Sequence, residues 1–404
     1  MTAAVVTIGC RLNQAESDML VAKLIKQGVE IVDELDSAEE CYVNTCSVTE
    51  AADRKSLKWV RRAVRFGARV VAMGCLVDAD PRRVLSVPGV CEIWNSDRKQ
   101  AEIDGYGPHP RRSRAFLKVQ DGCDAGCTYC RPSRVRRRLW SISPERARAE
   151  FVRLLDDGFA EFVITGLNLG RYRGGLALLL AELLAVPGDF RLRLASLEPE
   201  AFDAELLGMF AEERVCPHFH LPLQSGDDAL LRRMGRSYTT RDFAQLLETL
   251  KRIRPDANVG IDIIVGFPGE TDRSFRMTRC FIEAMPIDYL HVFPYSRRLG
   301  TPVFDAVDCV AKHDKQMRVR ELIDIDMERR VRYRTQFTGS IRRAVVESSE
   351  TVLTDNYLRL KLLPSTPAQT RSLIRVRVME DGCSGYEVTR PSIVKTAISQ
   401  RREP

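Results

Sequence analysis

Histidine and tryptophan are scarce in this chain, with only five and three among 404 residues, and no apolar run approaches the eighteen or so residues of a membrane span. A membrane protein is therefore not expected. Nor does the opening "MTAAVVTIGC" carry a basic leader or a cleavage site, so a cytoplasmic protein is expected. Thiols stay reduced there, and twelve cysteines then read as metal ligands or core residues rather than a disulfide framework. Charge of one sign does not dominate: 62 Lys+Arg against 55 Asp+Glu give +7, enough to favour an anionic partner only where arginines cluster. The length suggests two or three domains.

Three cysteines stand at C-x3-C-x2-C spacing in "DGCDAGCTYC", Cys123, Cys127 and Cys130, followed by "RPSRVRRR". A structural zinc site wants four ligands, usually two short Cys/His pairs, and no second pair lies nearby. An iron-sulfur cubane held by three cysteines leaves its fourth iron open as a reaction site. With aromatic Tyr129 before the last cysteine, the stretch resembles the radical S-adenosylmethionine (SAM) superfamily. That resemblance implies a 4Fe-4S cluster whose open iron chelates SAM and whose electron cleaves it to a 5′-deoxyadenosyl radical.

Around this motif, strand-like runs recur at 114–120, 161–165, 190–196, 218–223, 259–267 and 289–296, with amphipathic helical stretches between them. Six βα-type units argue for parallel strands, and the resemblance implies a partial (β/α)6 barrel. Chemistry in such sheets gathers at strand C-termini. Asn168, Glu198, Gln224 and Gly266 fall there and, with Tyr129 of the cysteine motif, are candidate SAM contacts: Glu198 for the ribose hydroxyls, Gly266 for close approach of the adenine. Arg236 is a candidate partner for the SAM carboxylate.

Three earlier runs, "AAVVTIGC", "ECYVNTC" and "ARVVAMGC", each finish in a cysteine: Cys10, Cys46 and Cys75. A doubly wound βαβ unit aligns the C-terminal ends of its parallel strands, so these thiols can converge on a second cluster. Cys41, on the opposite face of its strand from Cys46, reads as core, as do Cys91, Cys216, Cys280, Cys309 and Cys383, which lack partner spacing. "GCRLNQAES", "VNTCSVT" and "MGC", continued by "HLPLQSG", "IVGFPGET" and "HVFPYSRRLGTP", resemble the methylthiotransferases, most nearly their MtaB-like branch. The resemblance implies two 4Fe-4S clusters and two uses of SAM. One supplies the methyl group of a methylthio unit; the other yields the radical that abstracts hydrogen from a base in tRNA. It further implies N6-threonylcarbamoyladenosine next to the anticodon as the target, with a reducing electron donor and a sulfur source as partners. No side-chain acid or base can replace an unactivated C–H bond, so no catalytic side chain is assigned.

One loop departs from the family: Arg137 stands where glycine is usual and Trp140 near an expected arginine. Beyond the charged helical stretch 312–337, short alternating strands suggest a small β-barrel resembling the OB-like TRAM domain, with eleven Lys+Arg against seven Asp+Glu from 338 to 404. Tyr357 and Tyr386 are expected to stack on bases, and Arg342, Arg343, Arg359 and Arg375 to meet phosphate. The expected domains are 1–105, 112–337 and 338–395. Two other readings stay open: a methylthiotransferase for isopentenyl-adenosine tRNA or a ribosomal-protein aspartate, and a non-catalytic iron-sulfur RNA-binding protein.

Overall fold

The computed structural model describes the whole chain except residues 104–106, 108, 110–111, 308–309, 364–368 and 389–404. Strands β1 (Thr2–Thr7), β2 (Glu30–Ile31), β3 (Glu40–Thr45), β4 (Arg69–Gly74) and β5 (Val90–Trp94) form a parallel sheet in the order β2-β1-β3-β4-β5. The order reverses beside β1 and β3, where open α/β sheets bind their ligands. Alternate residues face opposite layers. Cys41, Val43, Val70 and Ala72 pack with Leu57 and Val60 of helix α2 (Glu50–Arg65), whereas Ala3, Tyr42, Val71 and Met73 face Met19 and Leu20 of helix α1 (Arg11–Lys26). The Thr49 side chain caps α2, accepting from the Ala52 amide at 3.2 Å.

The two helices differ in kind. α2 is amphipathic, but α1 is buried nearly all round, including Glu16 and Asp18. Such a helix must be enclosed on both sides, and its second side packs on β6 (Ala115–Lys118) of the next unit. The apolar core therefore runs continuously from the first sheet into the second unit.

Two short strands, β7 (Gln120–Asp121) and β8 (Trp140–Ser141), pair antiparallel and pinch the base of the loop carrying Cys123, Cys127 and Cys130. Gly122 there has φ +84°, and a Cβ would lie 2.1 Å from the Arg138 carbonyl oxygen, so only glycine fits. Next come β9 (Glu161–Thr165), β10 (Arg191–Leu194), β11 (His218–Gln224), β12 (Asn258–Val265) and β13 (Tyr289–Pro294). They form parallel sheets β6-β9-β10 and β11-β12-β13, joined through a parallel bridge between Leu192 and Val215. All six runs expected from the sequence are strands of this open barrel. The long helix Lys312–Gln336 lies along β13.

The C-terminal unit is a closed barrel of β14 (Ile341–Ser348), β15 (Thr351–Thr354), β16 (Arg359–Leu363), β17 (Leu373–Val378) and β18 (Ser384–Glu387), in the order β14-β15-β16-β18-β17. Four strands were legible in the sequence; β15, four residues beyond a tight turn, was not. This barrel docks on the N-terminal ends of the open-barrel strands. There Arg191 and Arg193, both fully enclosed, donate to the carbonyls of Arg343, Leu353, Thr354 and Asp355 at 2.7–3.0 Å.

Candidate functional site

Cys10, Cys46 and Cys75 follow β1, β3 and β4, at the sheet edge where the strand order reverses. Asn13 joins the first two loops, its Nδ2 donating to the carbonyls of Ile8 and Thr45, each at 2.9 Å. Ser56 of α2 holds the Cys46 backbone on both sides, accepting from its amide at 3.0 Å and donating to its carbonyl at 3.1 Å. Cys46 and Cys75 are buried, and Cys10 reaches solvent. Burial pushes the Cys46 thiol up to about 12, and charge on Cys75 or Cys10 acts in the same direction. Metal binding has to supply the energy of deprotonation.

The second trio lies at the C-terminal mouth of the open barrel. The Cys123 amide donates to the Arg136 carbonyl at 3.0 Å, and the Thr128 amide and hydroxyl to the carbonyls of Met234 and Arg233. Arg236 reaches Cys127 Sγ with Nη1 at 3.2 Å, Tyr238 Oη with Nε at 3.0 Å, and Glu198 with Nη2. Asn168 Nδ2 points to Cys123 Sγ at 3.8 Å. Burial pushes Cys130 up to about 11.

The ligand atoms of neither trio draw together within 4.8 Å; among the described residues only His220, Asp262 and His291 do so. A single zinc with Zn–S bonds of about 2.3 Å would need closer sulfurs. A multinuclear iron-sulfur cluster is held by thiols set farther apart than those around a single zinc.

Two cavities adjoin the second trio. One, of about 310 Å³, is lined by Cys127, Asn168, Glu198 and Arg236 among others. The other, about 190 Å³, lies between Val48 and Thr49, which follow Cys46, and Tyr129, Gln224, Asp262 and Tyr295 of the barrel. The sequence candidates thus divide. Asn168, Glu198 and Arg236 share the first cavity, Tyr129 and Gln224 line the second, and Gly266 lines neither. A Cβ at Gly266 would fall 2.4 Å from Lys315 Cε, so its open backbone space accommodates that lysine stem. Glu198 and Arg236, assigned separately to ribose and carboxylate, are paired with each other.

Several expectations fail because tertiary contacts occupy the groups. Arg131 and Arg136 of the arginine run are buried rather than presented to an anionic partner. Arg136 places Nε 3.4 Å from Cys75 Sγ and its Nη atoms on Glu16 and Asp121, so it links the two cysteine loops. Lys99 and Lys118 complete that enclosed cluster on Glu16. Tyr357 stacks on His218, centroids 3.9 Å apart, and accepts from Arg11 at 3.0 Å, so it is an internal contact and not a base-stacking platform. Arg342 is held by Asp256 and Asp355, Arg343 by Asp189, and Arg359 by Glu347. Arg375 and Tyr386 are exposed. Cys41 and Cys216 are core, as expected, whereas Cys91, Cys280 and Cys383 are exposed and Cys309 lies outside the described residues.

With this geometry, residues 117–282 match the description "Radical SAM superfamily", and residues 2–95 match "Uncharacterized protein family UPF0004". The chain is 32% identical over 395 residues to the threonylcarbamoyladenosine tRNA methylthiotransferase MtaB of Aquifex aeolicus, covering 89% of this chain and 96% of that protein. To the protein of the same name from Thermotoga maritima it is 33% identical, covering 86% of each. A tRNA-2-methylthio-N(6)-dimethylallyladenosine synthase of Natranaerobius thermophilus is 27% identical, with 84% of each covered. Among solved structures, the radical S-adenosylmethionine methyltransferase TsrM of Kitasatospora setae shares the fold, with TM-score 0.57, 16% identity and coverage of 75% of this chain and 77% of that one.

Proposed function

The chain belongs to the MtaB family of threonylcarbamoyladenosine tRNA methylthiotransferases, and on that premise we propose that it adds a methylthio group to C2 of N6-threonylcarbamoyladenosine beside the anticodon. It is a radical SAM tRNA methylthiotransferase that uses an iron-sulfur cluster and SAM. The finer reading has two 4Fe-4S clusters, one held by Cys10, Cys46 and Cys75 and one by Cys123, Cys127 and Cys130. It also calls for an external electron donor, a sulfur source and a cytoplasmic setting. No described helix is long and apolar enough to cross a membrane.

The observation that carries this reading is the cavity between the trios, bounded by the residues after Cys46 on one side and by Tyr129 on the other. When bound, the clusters and SAM supply the sulfur, methyl and radical chemistry that side chains cannot. The chain's own residues hold the two loops in register. Arg136 spans from Cys75 to Asp121, and Arg298 of the barrel donates to Ser47 Oγ at 2.9 Å and Asp53 at 2.6 Å, fixing the segment after Cys46 over the barrel mouth. Arg236 and Asn168 approach the sulfurs of Cys127 and Cys123, where N–H groups tune a cluster's potential.

Nucleoside mass spectrometry of tRNA incubated with reduced, reconstituted enzyme tests the substrate. Threonylcarbamoylated tRNA should yield the 2-methylthio product, and tRNA lacking that group should yield little. Efficient modification of isopentenyl-adenosine tRNA instead would move the enzyme to the neighbouring branch.

For the RNA grip, Arg375 is the better assignment than Arg342. Changing Arg375 to Gln should lower the log-log salt slope of tRNA binding by about one unit if it meets one phosphate. Arg342→Gln should leave the slope unchanged, since Asp256 and Asp355 already hold that guanidinium. The reverse pattern would refute this assignment.

A further inference from the structure

His220, Asp262 and His291 stand on three neighbouring parallel strands, with Asp262 and His291 directly opposite in register and His220 opposite Gly260, two residues before Asp262. The period-two alternation therefore puts all three on one face. Asp262 Oδ1 lies 2.9 Å from His220 Nε2 and 3.3 Å from His291 Nδ1, and the three ligand atoms all fall within 4.8 Å. Adjacent corners of an octahedron with bonds of about 2.1 Å are roughly 3.0 Å apart. Both imidazole-to-carboxylate distances match that separation.

The opposite ring nitrogen of His220 is fixed as metal-binding imidazoles usually are. Its Nδ1 lies 3.0 Å from Tyr289 Oη, which in turn lies 2.9 Å from His218 Nε2. Tyr289 can sit there because residue 260 is glycine: a Cβ would fall 1.9 Å from the tyrosine Cζ. His220 is buried, but Asp262 and His291 are 24% and 49% exposed at their side chains, and Asp262 lines the cavity between the cysteine trios.

We propose that His220, Asp262 and His291 form a mononuclear site for a divalent first-row transition-metal cation, separate from both cysteine trios, with open coordination positions facing that cavity. Two imidazoles and one carboxylate form a nitrogen and oxygen set on rigid strands, suited to Mn²⁺, Fe²⁺, Co²⁺ or Zn²⁺. The open positions accept oxygen ligands. Resting on the substrate reading above, the carboxylate of a threonylcarbamoyl group is the natural oxygen donor, and the cation would anchor it beside the reacting base.

Mn²⁺ is the probe of choice because it favours nitrogen and oxygen over thiolate and so leaves the cysteines aside. Titrated into the reconstituted holoenzyme without tRNA and followed by the EPR signal of free Mn²⁺, it should bind at one per chain. His291→Ala, at a half-exposed position the fold tolerates, and Asp262→Asn should each weaken binding at least about tenfold, with iron content unchanged. Tyr289→Phe should weaken it about 10- to 100-fold by releasing His220. A holoenzyme that takes up no stoichiometric Mn²⁺, or the same affinity in the His291 and Asp262 variants, overturns the site and leaves the three side chains as a proton-bearing hydrogen-bond row. Since tRNA is absent, failure of the substrate reading would not touch this result.

Discussion

Replacing Cys123, Cys127 and Cys130 together with alanine should remove about half of roughly eight irons from the reconstituted protein, at four per cubane, and abolish SAM cleavage. Replacing Cys10, Cys46 and Cys75 should remove the other half while leaving SAM cleavage uncoupled from methylthio transfer. The two outcomes differ because Cys127 borders the 310 Å³ cavity with Asn168, Glu198 and Arg236, whereas the N-terminal trio lies in another unit and lines none of it. Iron analysis and release of 5′-deoxyadenosine measure both. Full iron content in the N-terminal triple variant would sink the second cluster.

A comparably large effect is expected away from the chemistry, at Glu161. This carboxylate is fully enclosed and accepts from Arg191 Nε at 2.7 Å and Arg193 Nε at 2.8 Å, with Arg114 at 3.6 Å. Burial by itself would raise its pKa, but the guanidinium groups outweigh burial and hold it well below the usual carboxylate range. A depressed native pKa contributes stability that is fully present above the unfolded value of about 4.3 and is lost as pH falls through the native one. Neutral and mildly acidic solutions should therefore leave this contribution intact, and it should fade only below about pH 4. Glu161→Gln leaves two buried guanidiniums without their anion and should cost about 3–5 kcal/mol in urea unfolding at neutral pH. Those guanidiniums also hold four carbonyls of the C-terminal barrel, so that barrel should become the first part cut by protease. A loss under about 1 kcal/mol would mean the cluster tolerates a neutral partner and this account of docking is wrong.

The placement of the six cysteines of the trios was legible because short spacing and strand-end position are local facts. The three at 123, 127 and 130 share one loop, and 10, 46 and 75 recur at the same point of successive βα units, where a parallel sheet aligns them without further instruction. Asn168 and Glu198 were legible as polar groups just past strand ends, and Arg236 as an arginine able to grip a carboxylate, but not their arrangement. Which of them pair with each other depends on loops that meet only in the folded barrel. The arginines misled for a related reason. An arginine in a run is identical in sequence whether it faces water or a carboxylate a hundred residues away, as Arg136 faces Glu16.

From the sequence alone came the three units, the six-stranded arc, both cysteine trios and the likeness to methylthiotransferases, since period-two and helical patterns, turn residues and short ligand spacings are set by neighbours along the chain. Only the tertiary structure decided that α1 joins the first unit to the barrel, that Tyr357 and Arg342 serve docking, that a cavity lies between the trios, and that His220, Asp262 and His291 share one face. Each rests on residues far apart in the chain brought within a few ångströms by strand register and domain packing. There, burial and ion pairing, not residue type, decide whether a side chain is a ligand, a strut or a surface.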